Sequence, residues 1–91
     1  MRALSAVGVL MRCTVLLFAQ LAESVGEREI LIDLPDRATV RDALDRLAAL
    51  HAPIADLIDR IAVAVNERYQ PTTAQLTDGC TIALIPPVSG G

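Results

Sequence analysis

The chain has 91 residues, of which 53% are hydrophobic and 21% charged, and this balance is typical of one small globular domain. With one Phe, one Tyr, no Trp and a net charge of -3, it lacks the aromatic platforms and the clustered basic charge that nucleic-acid binding requires. All of its basic residues are arginines, so it offers no lysine for a Schiff base or an isopeptide bond.

The N-terminus resembles a short signal sequence, because a Met-Arg start precedes a short apolar run. Arg12 then interrupts the apolar stretch, and an arginine at the centre of a bilayer costs about 2.5 to 3.5 kcal/mol. We therefore predict that Met11 is the natural start and that residues 1–10 are a disordered extension. Residues 11–91 are predicted to form a cytoplasmic domain without a membrane partner.

Two strands are predicted in the first half of the chain. The run Arg12–Ala19 is β-branched and aliphatic, which predicts a central strand buried on both faces. Residues 20–29 mix helix-forming residues with Gly26, which predicts a helical turn and a loop. A second strand is predicted over Ile30–Leu34, ended by Pro35.

The main helix has the clearest local signal. Thr39 is a predicted N-cap, and Asp42 completes a shortened capping box. On the outer face, Asp42 with Arg46 and Arg41 with Asp45 have the spacing of helical ion pairs. The inner face is predicted from apolar residues at helical spacing: Val40, Ala43, Leu44, Leu47 and Ala48.

The second half of the chain predicts a short helix and two further strands. Pro53 opens the helix, and Ile61–Val65 alternates bulky and small residues as a strand does. Asn66-Glu67 and Asp78-Gly79 are predicted turns, and Cys80–Ile85 is the last strand.

The predicted order is strand, strand, helix, strand, strand, which indicates an α+β domain with a β-grasp sheet. In such a sheet the first and last strands are parallel neighbours at the centre. Cys13 and Cys80 would then lie at matching ends of neighbouring strands. We interpret them as buried thiols in a reducing compartment, with a disulfide under oxidation as the alternative.

The sequence shows no catalytic constellation and no metal site. His51 is predicted in a surface loop, with no nucleophile or carboxylate at a spacing typical of a triad or a metal site. The carboxylates form no evident acid and base pair, and no phosphate-binding glycine loop is present. The inventory favours a protein without an active site of its own.

The C-terminal segment Pro86–Gly91 is the most unusual part of the chain. Two prolines stiffen its root, whereas Gly90 and Gly91 carry no Cβ and can enter a narrow channel. A terminal carboxylate is an anion at neutral pH and a poor electrophile until a partner activates it. The pattern indicates that the Gly91 carboxylate is the reacting group, with an incidental frayed end as the alternative.

The chain resembles the MoaD family, the small sulfur-carrier subunits of molybdopterin synthase. The ending Pro-Pro-Val-Ser-Gly-Gly is the most specific part of this resemblance, and Cys80 departs from it because the family commonly has an acidic residue there. The resemblance covers Met11 to Gly91 through five segments: Val15–Glu23, Thr39–Leu44, Ala64–Glu67, Leu76–Gly79 and Ile82–Gly91.

The resemblance implies a ubiquitin-like β-grasp fold, a mixed sheet packed against one main helix. It implies that an E1-like enzyme uses ATP to adenylate the Gly91 carboxylate, which a sulfur donor protein then converts to a thiocarboxylate. Gly90 allows the tail to insert into the large subunit of molybdopterin synthase. Sulfur then passes to cyclic pyranopterin monophosphate, and the chain itself binds no cofactor.

The resemblance also implies a heterotetramer of two small and two large subunits, with apolar contacts beside the tail root. Core packing is an alternative role for Phe18. The predicted partner-binding residues are Phe18, Tyr69, Ile85, Pro86, Pro87, Val88 and Ser89.

Three other functions remain open at this point. One is a ThiS-like carrier for thiazole synthesis or another sulfur pathway, and another is a ubiquitin-like modifier conjugated to lysines. The third is a plain interaction module. The segment Phe18–Glu23 and the Pro-Pro pair favour the molybdopterin carrier.

Overall fold

The computed structural model describes residues 10–88. The predictions for residues 1–9 and for Ser89, Gly90 and Gly91 lie outside the described residues. The elements in chain order are β1 (Leu10–Leu17), α1 (Ala19–Val25), β2 (Glu29–Pro35), α2 (Val40–Leu50), α3 (Ala52–Leu57), a 3-10 turn (Ile58–Arg60), β3 (Ala62–Val65), β4 (Arg68–Tyr69) and β5 (Thr81–Ile85).

The five strands form one mixed sheet in the order β2-β1-β5-β3-β4. The central pair β1 and β5 is parallel, with Thr14 beside Thr81 and Leu17 beside Leu84, and the other neighbours are antiparallel. The prediction that the first and last strands are parallel neighbours at the centre is confirmed. β4 was not predicted as a strand, because it consists of only two residues, both paired with β3.

Helix α2 begins as its sequence predicts. The Thr39 hydroxyl accepts a hydrogen bond from the Asp42 N–H at 3.2 Å, and the Asp42 carboxylate accepts one from the Thr39 N–H at 2.8 Å. Arg41 and Asp45 form the predicted ion pair at 3.0 Å. The predicted pair between Asp42 and Arg46 is wrong, because the Asp42 carboxylate is held by the capping box instead.

The region after β1 also differs from the prediction. The strand ends at Leu17, and the expected single helical turn is the seven-residue helix α1. Leu21 anchors this helix, since its side chain is 1% exposed and belongs to the core. Burial of Leu21 against the sheet therefore stabilises a helix that is longer than the local helix signal of its sequence predicts.

The core lies between the helices and one face of the sheet. None of the buried side chains in residues 10–88 is polar or charged. The largest fully buried side chains come from β1, β2, β5 and the three helices, with Cys80 just before β5: Cys13, Val15, Leu21, Leu34, Val40, Leu44, Leu47, Ile54, Cys80, Ile82 and Leu84.

The expectation that the first strand is buried on both faces is wrong. Buried and more exposed residues alternate along β1, and Arg12, Thr14 and Leu16 lie on the face that no helix covers. On this open face the Arg12 Nε donates to the Asp33 carboxylate at 2.9 Å, which lowers the pKa of Asp33. The sheet thus has one covered face and one open face.

The two cysteines meet beneath the central strands. Cys13 and Cys80 are buried and free, with their Sγ atoms 3.4 Å apart. Burial, followed by the hydrogen bond with Cys80, raises the pKa of Cys13 to about 12. The predicted proximity is confirmed, and so is the burial of both thiols.

Over residues 10–88, none of the helices has the length and apolar character needed to cross a membrane.

The raised pKa of Cys13 predicts a loss of stability in alkali. The folded state holds the thiol proton more tightly than the unfolded chain, so this contribution is complete below about pH 9 and declines as the pH rises towards about 12. The slope approaches about 1.4 kcal/mol per pH unit. Urea unfolding between pH 7 and 11 measures this pH dependence of the free energy of unfolding.

Cys13→Val is the matched control, because valine fills a similar buried space without a titrating group. We expect the variant to lose less stability than the native chain over the same pH range. If the unfolding free energies of the two proteins had the same pH dependence, the Cys13 thiol would not be the cause of the loss of stability.

Candidate functional site

The root of the C-terminal tail leaves the sheet at one edge. β5 ends at Ile85, Pro86 is buried, Pro87 is half-buried and Val88 is 91% exposed. The chain therefore passes from the core to the surface within two residues. Because β1 and β5 are parallel, the carboxyl ends of both strands meet at this edge, and the residue that follows β1 there is Phe18.

Phe18 lies on the open face beside the tail root. Leu17 points into the core, and Phe18 continues the strand in an extended conformation with φ -125° and ψ 156°, so its side chain lies on the other face. The backbone then turns sharply at Ala19, which has φ 49°. Phe18 is 45% exposed, so the alternative of core packing does not describe it.

A row of apolar residues crosses the open face. The strand register places Leu16 beside Ala83, Ala83 beside Ala64, and Ala64 beside Tyr69. Adjacent strands are about 4.8 Å apart, so this row extends for about 14 Å and ends at Tyr69, which is 71% exposed. Ile85, two residues after Ala83 on the same strand, lies on the same face.

The structure therefore brings Phe18, Tyr69 and Ile85 onto one face of the sheet, next to Pro86, Pro87 and Val88. Ser89, Gly90 and Gly91 lie outside the described residues.

A shallow concavity on the open face includes two residues that the sequence analysis missed. It is lined by Leu16, Phe18, Asn66, Glu67, Thr81 and Ala83. Leu16 and Ala83 were overlooked because β1 and β5 are almost wholly apolar, so their two faces look alike in sequence. The available signal was the spacing of Arg12 and Thr14, which marks the solvent face of β1 and continues to Leu16 and Phe18.

The hairpin turn between β3 and β4 borders this concavity. Asn66 and Glu67 have positive φ angles of 50° and 72°, as a two-residue hairpin turn requires. The Asn66 side-chain oxygen accepts a hydrogen bond from the Thr81 N–H at 2.9 Å, and the Asn66 N–H donates to the Thr81 carbonyl at 2.9 Å. The predicted turn is confirmed, and its bonds to β5 hold Glu67 beside the apolar row.

The main feature of the described residues is the exposed apolar face beside the tail root. Within residues 10–88, no group of three or more His, Cys, Asp or Glu side chains is placed to hold a metal ion. His51 lies between α2 and α3, where it is half-buried and its N–H donates to the Leu47 carbonyl at 2.8 Å. The open face with its adjacent tail root is the feature that a partner protein can recognise.

Comparison with known proteins identifies close relatives along almost the whole chain. The profile of the ThiS family matches residues 15–91. Small archaeal modifier protein 1 of Haloferax volcanii is 39% identical over 83 residues, covering 82% of this chain and 95% of that protein. The molybdopterin synthase sulfur carrier subunit of Dictyostelium discoideum is 35% identical over 80 residues, covering 85% of this chain and 93% of that protein.

Solved structures show the same architecture. The crystal structure of SAMP1 from Haloferax volcanii superposes with a TM-score of 0.76 at 36% identity, covering 88% of this chain and 99% of that one. A complex of subunits 1 and 2 of molybdopterin-converting factor from Helicobacter pylori contains a chain with a TM-score of 0.62 at 23% identity. It covers 89% of this chain and 100% of that one, and at this identity it supports the fold alone.

The parallel central strands, the capped main helix and the match over residues 15–91 lead to one conclusion. The chain has the ubiquitin-like β-grasp fold and belongs to the ThiS family within the MoaD/ThiS superfamily.

Proposed function

We propose that this chain is the small sulfur-carrier subunit of molybdopterin synthase. The observation that carries the proposal is the placement of the tail root. The chain leaves the core at Pro86 and is 91% exposed at Val88, at the same end of the sheet where the exposed Phe18 follows β1. In the sequence, Ser89-Gly90-Gly91 follows at once. A body with an exposed apolar face thus adjoins the start of a tail with little side-chain bulk.

The proposed chemistry takes place at the Gly91 carboxylate. An E1-like enzyme uses ATP, and a carboxylate oxygen attacks the α-phosphate, which releases pyrophosphate and leaves an acyl adenylate. Sulfide-level sulfur supplied by a donor protein then attacks the acyl carbon and displaces AMP, which gives a thiocarboxylate. The large subunit transfers this sulfur to cyclic pyranopterin monophosphate. The carrier acts as a co-substrate and binds no cofactor of its own.

The tail sequence suits insertion into a partner. Gly90 and Gly91 have no Cβ, so the backbone can enter a narrow channel and the acyl carbon stays open to attack. Pro86 and Pro87 have fixed φ angles, which lowers the entropy lost when the tail is held in one conformation. We assign Val88 and Ser89 to contacts with the wall of that channel.

The large subunit is the proposed docking partner of the open face, in a heterotetramer of two small and two large subunits. Phe18 and Tyr69 are the only aromatic residues of the chain, and both are exposed on this face. Aromatic side chains are frequent anchors of protein interfaces, and Ile85 extends the same apolar surface to the tail root. The relative from Dictyostelium discoideum, which is 35% identical, is named as a subunit of molybdopterin synthase, and this supports an assembly with a further subunit.

We propose a cytoplasmic location for these reactions. Two buried free thiols are consistent with a reducing compartment, and activation requires ATP.

A ubiquitin-like protein modifier is the second candidate, because Small archaeal modifier protein 1 is 39% identical to this chain. In that case the activated Gly91 acyl group would be captured by a lysine amine of a target protein, which forms an amide and releases the activating group. The absence of lysine from this chain means that it cannot accept such a bond through a lysine side chain of its own. A ThiS-like carrier for another sulfur pathway would share the activation steps and differ in the protein that receives the sulfur.

Changing the end of the tail is the direct test of the proposed reaction. We expect deletion of Gly91, or addition of one residue after it, to abolish sulfur transfer while the midpoint of urea unfolding stays unchanged. Intact mass after incubation with the activating enzyme, ATP and a sulfur donor measures the reaction. The unaltered chain is expected to exchange one oxygen for one sulfur.

The control is one residue added at the N-terminus, which changes chain length without touching the tail. If the chain extended after Gly91 still restored molybdenum cofactor synthesis, the terminal-carboxylate mechanism would be wrong. Covalent adducts with target lysines that survive thiol reagents would favour the modifier. Thiocarboxylate formation without transfer to the pterin substrate would favour another sulfur pathway.

Replacing Phe18 tests whether its ring contributes to binding of the large subunit rather than to the stability of the fold. We expect Phe18→Ala to cost at most about 1 kcal/mol of unfolding free energy, because the ring is 45% exposed. The same change should weaken binding to the large subunit at least tenfold if the ring is an interface anchor. Urea unfolding and isothermal titration calorimetry measure the two effects.

Leu84→Ala is the matched core control, because Leu84 lies beside Leu17 on the covered face and is fully buried. It should cost about 2 to 5 kcal/mol of stability. A Phe18→Ala variant that binds the large subunit as tightly as the native chain would remove Phe18 from the interface.

A further inference from the structure

The exposed charges around the apolar row are mostly of one sign. Glu67 borders the concavity on the side of β3 and β4. Glu23, Glu27 and Glu29 line a second concavity that shares Leu16 and Phe18 with the first. All four carboxylates are exposed. Arg28 is the one arginine that lines either concavity, and it lines only the second.

Strand register places two of these carboxylates on opposite sides of the apolar row. Glu29 of β2 pairs directly with Leu16, so it lies at the β2 end of the row. Glu67 follows Asn66, whose two hydrogen bonds to Thr81 fix the turn beside β5. The apolar row therefore has an acidic residue on either flank. We call these four glutamates and the apolar residues between them the acidic-rimmed face.

Neighbouring arginines do not cancel this charge. Arg68 pairs with Val65, which packs against the core, so Arg68 projects to the helical side of the sheet. Arg12 does lie on the open face, but its guanidinium is bonded to Asp33 at 2.9 Å. Arg28 lies between Glu27 and Glu29 and offsets one of the four carboxylates, so the rim keeps an excess of negative charge.

A second copy of this chain is a poor occupant of the face. A symmetric dimer through this surface would bring the same patch of both copies together. Glu29 and Glu67 of one copy would then meet the acidic rim of the other, and like charges brought together at an interface are unfavourable. The charge pattern instead matches a partner of opposite sign.

We propose that the acidic-rimmed face docks a protein whose contact surface has an apolar centre and a basic rim, and that these charges steer its association. The inference rests on the proposed function, because the partner is the protein that receives the Gly91 tail. Complementary charge of this kind raises the association rate more than the final affinity, and salt screens it.

Charge reversal on and off the face tests the proposal. The probe is the large subunit of molybdopterin synthase from the same organism, mixed with the full chain in stopped-flow measurements at low and high salt. We expect Glu29→Arg with Glu67→Arg to slow association about tenfold at low ionic strength. The difference should vanish at about 1 M salt, where screening acts within about 3 Å.

The matched control is Asp56→Arg with Asp59→Arg, which makes the same change in net charge on α3 and the 3-10 turn that follows it. Both control residues are exposed, and we expect the association rate to stay within about twofold of the native value. Circular dichroism and urea unfolding verify that every variant is folded.

The outcomes distinguish failure of the steering surface from failure of the proposed function. Equal slowing by the face and control variants, no effect of either, or faster association after reversal of the face would overturn the acidic-rimmed face as a steering surface and leave the proposed function standing. A native chain that forms thiocarboxylate but does not bind the large subunit would overturn both the proposed partner and this inference.

Discussion

The parallel pairing of β1 with β5 is the constraint on which the rest of the structure depends. It joins segments from the two ends of the domain and places the carboxyl ends of both strands at one edge. The approach to β5 fixes the register, because the Gly79 N–H donates to the Arg12 carbonyl at 2.9 Å and the Thr14 N–H donates to the Cys80 carbonyl at 3.1 Å. A slip of one residue would exchange the buried and exposed faces of β5.

The two faces of the sheet are covered unequally, which leaves one apolar face in contact with water. Helices bury one side in a core that contains no polar side chain among the described residues. The other side keeps apolar residues such as Phe18 and Tyr69 partly in water, which costs free energy unless a partner covers them. In a domain of 91 residues, which can bury only a small core, this cost is a considerable fraction of the stability.

Most of the elements were predictable because their signals are local. The Thr39 and Asp42 capping box and the Asn66-Glu67 turn were both confirmed. The parallel pairing of the first and last strands was also confirmed, and it was predicted from the order of the elements rather than from a local signal. The errors arose where several contacts compete. The Asp42 carboxylate accepts a hydrogen bond from the Thr39 N–H in the capping box and therefore does not pair with Arg46. Likewise, α1 is longer than its sequence suggests because Leu21 is buried.

The sequence by itself determined the fold class, the capped helix and the composition of the Pro86–Gly91 tail, since these depend on residue type and spacing. Only the tertiary structure decided that no helix covers Leu16 and Phe18, because the face that Arg12 and Thr14 mark in the sequence continues into the apolar run Val15–Phe18, which is typical of a buried strand. It also decided that Glu29 and Glu67, distant in sequence, flank one apolar row. Such proximity depends on strand register, which long-range hydrogen bonds fix and local sequence does not encode.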